Sequence, residues 1–293
     1  MNPFRYDYAV IGGDLRQLYL IEELAKENHT LCHFALCQPI KQLFPANHSA
    51  VQVSLENAIT NSRHILCPIP LSKNKDYLNQ NGVKKNIPLK QLLSLLTPGQ
   101  YFFAGCIPES FCQEALEKSV AVFDFMKDSS LSYFNTIATA EGILCEAIKA
   151  SPLNLHKSKC AVLGYGKCGR ILTDDLKRMF CYVTVVSVCE EELSQAALSA
   201  DEAVDLNSFF AHIGDYDFIF NTIPALVLTK EVLLQVNPQA RILDIASAPG
   251  GIDFSAAKEL SIHAALYPGL PGKYAPLSSA RAIKKSIKTF LNT

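Results

Sequence analysis

The segment KCAVLGYGKCGR, residues 159–170, decides the fold of the second half of the chain. A short apolar strand, residues 159–163, leads into a turn that matches G-x-G-x-x-G and then into a helical stretch that ends near Met179. In such a turn the first glycine permits a tight reversal, the second lets a pyrophosphate approach the backbone, and the third allows close helix–strand packing. The segment therefore predicts a Rossmann-type domain that binds NAD or NADP through six residues: Gly164, Tyr165, Gly166, Lys167, Cys168 and Gly169.

The choice between NAD and NADP depends on the acidic residues that follow the second strand of this half. That strand ends next to Glu190, where a carboxylate would hydrogen-bond the ribose 2′-OH and repel a 2′-phosphate, which favours NAD. Glu190, Glu191 and Glu192 equally suit the first turn of the next helix, where acids complement the helix dipole. The sequence leaves the choice open.

The first half of the chain alternates short apolar strands with helices, which predicts an α/β fold with a flavodoxin-like parallel sheet. Its first strand, residues 8–11, ends in Gly12-Gly13-Asp14, which lacks a third glycine, so we expect no second dinucleotide site here. Asp14 is suited to cap the following helix. Arg16 is suited either to bind a carboxylate through two hydrogen bonds or to pair with an acid at the surface.

The order of these segments predicts two domains and a connecting helix. We expect an N-terminal α/β domain for substrate or partner binding over residues 1–132, a connecting helix over 133–150 and a Rossmann domain over 151–276. The last helix, residues 277–293, is expected to pack back on the N-terminal domain.

Composition excludes several other classes of protein. The 293 residues carry a net charge of −1 and no block of like charge, so we expect neither nucleic acid nor a membrane as a partner. The ten cysteines are spaced irregularly, which predicts buried thiols and no metal site. The N-terminus lacks a secretion signal and no apolar run approaches the roughly 20 residues of a membrane span, so we expect a cytoplasmic protein.

Five segments, taken in order, resemble the A subunit of bacterial dipicolinate synthase, and the resemblance covers essentially the whole chain. Two positions depart from the family pattern: Ala138, where proline is frequent, and Ala248, where a basic residue can occur. The segments that carry the resemblance are Ile11–Gln17, Asn135–Gly142, Asn221–Ala225, Leu243–Phe254 and Pro268–Pro276.

The resemblance implies a function in sporulation, in the mother cell. With a flavoprotein-like B subunit, the family converts 4-hydroxy-tetrahydrodipicolinate to dipicolinate by dehydration and NAD(P)-dependent oxidation. Aromatisation makes the oxidation favourable, so such a protein has mainly to place the ring against the nicotinamide, hold two carboxylates and move one proton.

The same resemblance, together with the ends of the predicted strands, implies a set of site residues. As catalytic residues we expect Glu141, Thr139, Arg16 and Ser247. As further cofactor-binding residues we expect Glu190, Asn221, Thr222, Ile223 and Pro224. As residues that bind the small dicarboxylate substrate we expect Arg16, Asn135, Ser247, Gly250, Gly251, Gly269 and Lys273. Two alternatives stay open, because Glu141 equally suits a pairing with a lysine and Lys273 equally suits a solvated position.

Two other functions compete with this one. A D-2-hydroxyacid dehydrogenase would share the two-domain plan, but such enzymes use a late histidine, and the last histidine here, His263, precedes the Pro-Gly loop. A non-catalytic protein that binds the nucleotide and docks a partner is the second alternative. Formation of a homo-oligomer is also left open by the sequence.

Overall fold

The computed structural model describes residues 4–46 and 49–292. The remaining residues, which fall in the predicted N-terminal domain and at the end of the predicted C-terminal helix, lie outside the described part of the chain. Two compact units emerge: the first comprises the described residues up to Phe134 together with those from Ala275 onward, and the second comprises Asn135–Tyr274.

Each unit contains one parallel sheet. The strands of the first unit are β1 (Tyr6–Ile11), β2 (Leu31–Phe34), β3 (Ala50–Gln52), β4 (Ser62–Leu66), β5 (Tyr101–Ala104) and β6 (Ala121–Asp124). The strands of the second unit are β7 (Lys159–Leu163), β8 (Tyr182–Val186), β9 (Glu202–Val204), β10 (Phe218–Asn221), β11 (Arg241–Asp244) and β12 (His263–Leu266). The predicted α/β class is therefore confirmed.

Helices connect the strands in both units. Those that start before β7 are α1 (Leu15–Ala25), α2 (Ile40–Leu43), α3 (Leu55–Thr60), α4 (Leu89–Leu95), α5 (Glu109–Glu117) and α6 (Ser129–Ala150). Those that follow β7 are α7 (Lys167–Arg178), α8 (Glu190–Ala196), α9 (Leu206–Ala211), α10 (Lys230–Leu233), α11 (Phe254–Glu259), α12 (Leu270–Tyr274) and α13 (Pro276–Leu291).

The two sheets have the same strand order. In the second unit the order β12-β11-β10-β7-β8-β9 is that of the doubly wound dinucleotide fold. In the first unit the order is β3-β2-β1-β4-β5-β6. Without β3 this is the expected flavodoxin order, and the short edge strand β3 extends it to the six-strand order of the second unit.

The core of the first unit lies on both faces of its sheet. In β1, Ala9 and Ile11 pack in one cluster of buried side chains, and Val10 packs in another that includes Ile283 of α13. This two-sided burial explains why the strands are nearly continuous apolar runs. Helix α13 belongs to this unit and packs on α1, where Lys284 Nζ donates a hydrogen bond to the Glu23 carbonyl at 3.1 Å.

Among the described residues, no helix is both long and apolar enough to cross a membrane. The same part of the chain shows no group of three or more His, Cys, Asp or Glu side chains placed to hold a metal ion.

Candidate functional site

The glycine turn between β7 and α7, residues 164–169, depends on two of its glycines for its shape. Gly164 has a φ of +89°, and a Cβ there would lie 2.6 Å from the Thr222 Oγ1. A Cβ on Gly169 would lie 2.0 Å from the Gly164 carbonyl oxygen. No side chain fits at Gly169 without a shift of backbone, so this glycine lets α7 begin directly against the turn.

Gly166, the middle glycine of the turn, faces open space. It is the N-cap of α7, it provides no side chain to cap the helix, and no heavy atom lies within 4 Å of a Cβ built on it. The first N–H groups of this 12-residue helix therefore receive no side-chain cap, and the space around Gly166 is open. Donors, the helix dipole and free space together fit a pyrophosphate.

Two other side chains of the turn are held by the protein itself. Tyr165 is buried, and its hydroxyl lies 2.7 Å from the Ser199 Oγ. Arg170 Nε donates to the Tyr165 carbonyl at 2.9 Å, and its guanidinium lies over the Tyr165 ring. Burial raises the pKa of the half-buried Cys168 thiol, although a hydrogen bond with Thr136 opposes this. Tyr165 and Cys168 therefore anchor the turn through their side chains.

The loop after β10 lies directly on the glycine turn. Thr222 donates from both its backbone N–H and its hydroxyl to the Leu163 carbonyl, each at 2.9 Å. Ile223 Cγ1 would lie 3.1 Å from a Cβ on Gly164. Pro224 is exposed beyond them. The structure thus brings two predicted cofactor-binding residues, Thr222 and Ile223, together with the turn.

Asn221, the last residue of β10, differs from its predicted role. Its side chain is completely buried and donates to the Asp244 Oδ1 and the Ile223 carbonyl, both at 3.0 Å. Its Oδ1 accepts from the Ile223 N–H at 3.1 Å. The prediction that the Asn221 side chain contacts the cofactor directly is therefore corrected. The amide instead shapes the loop after β10.

Asp244, at the end of β11, organises the site although the sequence did not predict it. Its carboxylate is completely buried and also accepts from the Ala246 N–H at 2.8 Å and the Gly251 N–H at 2.7 Å. Together with Asn221 it joins the loops after β10 and β11 at the carboxyl edge of the sheet, where ligands bind in this fold. The available signal was an acid that directly follows an apolar strand.

The N–H groups of Gly250 and Gly251, which were expected to bind the substrate, are used within the loop after β11. The Gly250 N–H donates to the Ser247 carbonyl at 3.0 Å, and the Gly251 N–H is used by Asp244. Gly250 has a φ of +89°, and a Cβ there would meet Asp244 Oδ2 at 2.6 Å. Both glycines therefore use their N–H groups within the loop. The side chain of Ser247 is exposed and is not used by these hydrogen bonds.

Three predicted residues lie on α6 within the second unit. The Thr139 hydroxyl donates to the Asn135 carbonyl at 2.9 Å, one turn earlier, and both residues are half-buried. Glu141 is exposed. Its predicted catalytic role stays a prediction.

Lys273 is engaged by its own unit. Its ammonium pairs with the Glu146 carboxylate, which also accepts from the Tyr274 hydroxyl at 2.6 Å. Burial opposes ionisation of Glu146, but the hydrogen bonds from Lys273 and Tyr274 outweigh it and lower the pKa of Glu146. The Lys273 side chain is 59% exposed, in line with the solvated alternative, and its predicted contact with the substrate stays a prediction. A Cβ on Gly269, just before α12, would meet no atom within 4 Å.

Arg16 in the first unit is also engaged. Its side chain is 3% exposed, and its Nε and Nη2 donate to the two Asp14 carboxylate oxygens at 2.9 and 2.8 Å. Nη2 further donates to the Ile69 carbonyl at 2.5 Å. The pairing with a carboxylate of its own chain is the second alternative left open for Arg16, and its predicted substrate contact stays a prediction.

Glu190 is the first residue of α8 and is exposed. Its predicted contact with a ribose stays a prediction, since the structure assigns it no partner beyond its place in the first turn of α8.

Two doubly wound parallel sheets, one with an open glycine turn, define the class: an α/β protein with the dinucleotide-binding architecture. The same fold occurs in a transhydrogenase from Sinorhizobium meliloti, with a TM-score of 0.68 and 14% identity over 97% of this chain and 92% of that one. The fold is therefore dehydrogenase-like.

A family model and two similar proteins all point to the same enzyme subunit. The family model for the N-terminal domain of the dipicolinate synthase A subunit matches residues 7–126. The dipicolinate synthase A subunit of Bacillus subtilis is 28% identical over 288 residues, which cover 97% of this chain and 95% of the relative. The crystal structure of the corresponding protein from Bacillus halodurans has a TM-score of 0.82 and 24% identity, with 99% of each chain covered. The resemblance to the dipicolinate synthase A-subunit family is thereby confirmed.

Proposed function

We propose that this chain is the A subunit of a two-subunit synthase and oxidises a dihydropyridine dicarboxylate to dipicolinate with NAD⁺ or NADP⁺. The observation that carries the proposal is the open space at Gly166, beside the uncapped first turn of α7, in a chain similar to the A subunit of dipicolinate synthase. The substrate would be 4-hydroxy-tetrahydrodipicolinate, which loses water to give dihydrodipicolinate. We place the reaction in the cytoplasm of the mother cell of a sporulating bacterium.

The oxidation removes a hydride from one ring carbon and a proton from a neighbouring ring atom, and leaves the aromatic pyridine. NAD(P)⁺, when bound, supplies the acceptor of the hydride. The N–H groups of α7 would hold the pyrophosphate, and the loop Thr222–Pro224 would form the wall beside the nicotinamide.

Handling of the substrate falls to side chains that are not already engaged. In this proposal Glu141 accepts the proton, since its carboxylate is exposed on α6. Ser247 and Asn135 would supply hydrogen bonds to the substrate carboxylates, and Thr139 would do so only if its hydroxyl left the Asn135 carbonyl. Arg16 and Lys273 are assigned no substrate contact, because each is paired within its own unit.

A second protein is part of the proposal. The Bacillus subtilis relative is named as the A subunit of its synthase, which implies at least one further component there. We propose a flavoprotein-like B subunit of dipicolinate synthase as the partner, and a homo-oligomer of this chain is compatible with that arrangement.

Product formation tests the proposal. Enzymatically generated 4-hydroxy-tetrahydrodipicolinate would be supplied to the chain alone and to the chain with the B subunit, with NAD⁺ and NADP⁺ separately. We expect dipicolinate and reduced nicotinamide to appear in equal amounts. Binding of the nucleotide without dipicolinate in any combination would contradict the oxidation and would favour a non-catalytic docking role.

A further inference from the structure

The chain between β4 and α4 is long and carries none of the helices or strands of the first unit, yet it is firmly held. The Leu71 N–H donates to the Gly105 carbonyl at 2.6 Å. The Leu78 N–H donates to the Ile87 carbonyl at 2.8 Å. Leu71, Leu78 and Ile87 are all buried. A connection of this length without secondary structure of its own is uncommon in a compact domain unless it serves a function.

Two turns of this connection are braced by amide side chains. The Asn74 Oδ1 accepts from the N–H groups of Asp76 and Tyr77 at 3.2 and 3.1 Å. The Gln80 Oε1 accepts from the Val83 N–H at 2.9 Å, and the Gln80 Nε2 donates to the Val83 carbonyl at 3.0 Å. Hydrogen bonds from a side chain to the nearby backbone fix a turn without help from a helix or a sheet. The shape of both turns is therefore set before any partner binds.

Lysines are concentrated on this part of the surface. The basic segment, residues 71–90, contains five lysines and one acid, a net charge of +4 in a chain whose net charge is −1. All five lysines are exposed: Lys73, Lys75, Lys84, Lys85 and Lys90. Over residues 4–46 and 49–292, none of the five forms an ion pair. Lysines elsewhere do pair with acids, among them Lys26, Lys177, Lys230, Lys273, Lys284 and Lys288.

The chemistry of the basic segment fits a protein partner with an acidic face. Lysines that are crowded on one segment repel one another, so a surface rich in Asp and Glu supplies attraction and relieves that repulsion. Tyr77 lies between the lysines in the sequence and is 38% exposed, and tyrosine is enriched where proteins dock. A small anion requires donors that converge in a concave site, whereas these lysines are exposed on separate turns. Nucleic acid is less favoured, because the segment contains no arginine.

We propose that the basic segment is the surface on which the second protein of the synthase docks, and that it contacts a face of that protein rich in Asp and Glu. The inference rests on the proposed two-subunit enzyme. It deepens that proposal, because it gives the first unit a role in assembly and states the chemistry of the contact.

Binding of the full chain to the B subunit, measured by calorimetry at two salt concentrations, tests the inference. For the unmodified chain we expect the dissociation constant to rise about 10-fold between about 50 and 300 mM salt, because salt screens exposed charges. A variant that lacks four of the lysines should bind about 30-fold more weakly at the lower salt concentration and lose most of the salt dependence. Its changes are Lys73→Gln, Lys75→Gln, Lys84→Gln and Lys85→Gln.

The matched control makes the same change of charge at four exposed lysines outside the basic segment and should bind the B subunit like the unmodified chain. Its changes are Lys127→Gln, Lys157→Gln, Lys159→Gln and Lys258→Gln. NADH binding, followed by nicotinamide fluorescence, should be unchanged in both variants, because neither alters the glycine turn.

Unchanged binding of the B subunit by the variant of the basic segment would overturn the inference while the two-subunit enzyme stood. Binding of a single-stranded oligonucleotide that this variant alone loses, with B-subunit binding retained, would assign the segment to nucleic acid instead. A B subunit that does not bind the unmodified chain, under conditions where NADH does, would contradict the two-subunit enzyme and the inference with it, and would leave the nucleotide site in place.

Discussion

The first strand–helix turns of the two units occupy the same position in sheets of the same order, yet only one of them is open. In the second unit, Gly166 is the N-cap of α7 and faces unfilled space. In the first unit, Asp14 is the N-cap of α1 and its carboxylate accepts from the Arg16 N–H at 3.0 Å. The comparison teaches that a glycine turn becomes a candidate nucleotide site only when the helix after it is left uncapped and the space before it is empty.

The first-unit turn is filled from two directions. A Cβ on Gly13 would lie 2.3 Å from the Gln17 Oε1, which itself accepts from the Asp14 N–H at 3.1 Å. The Gly13 N–H donates to the Asn79 carbonyl at 2.9 Å. Part of the polar segment between β4 and α4 thus packs on the turn, and the chain itself occupies the volume that a phosphate would need.

The largest expected effect comes from making the open turn resemble the filled one. Gly166→Asp would place a capping carboxylate in the free space, as Asp14 does in the first unit. The backbone at Gly166, with a φ of −70°, accepts an ordinary residue, so the fold should be retained. We expect NADH affinity to fall about 1,000-fold, or roughly 4 kcal/mol, because a negative charge replaces the pyrophosphate. Fluorescence titration measures this, and unchanged affinity would show that the turn is not the phosphate site.

A somewhat smaller effect is expected from the third glycine. Gly169→Ala would drive a methyl group into the Gly164 carbonyl, so α7 would have to move away from the turn. We expect a loss of about 3 kcal/mol in the free energy of unfolding. Urea unfolding followed by circular dichroism measures it. Gly99→Ala is not a suitable control, because its φ is +82°; Gly166→Ala, where space and φ both permit a methyl group, is the matched one and should unfold like the unmodified chain.

Asp244 offers a further test of the open turn in the second unit, because this residue organises the loops beside it. Asp244→Asn would replace one acceptor oxygen with an NH₂ group opposite N–H donors, and we expect a loss of about 2 kcal/mol in the free energy of unfolding. NADH binding should weaken about 10-fold as the loop after β10 loses its support. Asp215→Asn, at a side chain 60% exposed in the same unit, is the control. Normal NADH binding by a destabilised Asp244→Asn chain would contradict a positioning role.

The smallest effect is a loss of stability at low pH. It comes from His33, a buried histidine of the first unit. Burial lowers the pKa of His33 to about 4 from an ordinary value of 6.5. The unfolded chain therefore binds a proton between these values that the folded chain does not bind. This contribution to stability is complete above pH 6.5 and is lost as the pH falls towards 4, by roughly 2 kcal/mol. Urea unfolding between pH 4 and 7 should show a flatter profile in His33→Gln and no change in His212→Gln, whose side chain is 73% exposed.

Much of the fold follows from the sequence, because long apolar strands buried on both faces leave a clear pattern. The strands β1 and β7 lie where the apolar runs over residues 8–11 and 159–163 predicted them. The four strands at the sheet edges, β3, β6, β9 and β12, were not predicted, since edge strands are half-exposed and runs of three or four residues carry no periodicity.

The site was predicted less completely, because a sequence does not display the partners of its charged groups. Lys273 pairs with Glu146, which lies 127 positions earlier in the chain. The glycine spacing predicted the turn, since Gly164 and Gly169 each answer a local steric need. Asp244 was missed because one of its three donors, the Asn221 amide, lies on the neighbouring strand β10, and the other two depend on how the loop after β11 folds back on the carboxylate.

The most direct test of the central claim is the stoichiometry of NADH binding to the unmodified chain and to Gly166→Asp. The open turn predicts one NADH per chain, lost in the variant while the thermal unfolding midpoint is retained. Two NADH per chain, or one that survives Gly166→Asp, would contradict the distinction between the open and the filled turn.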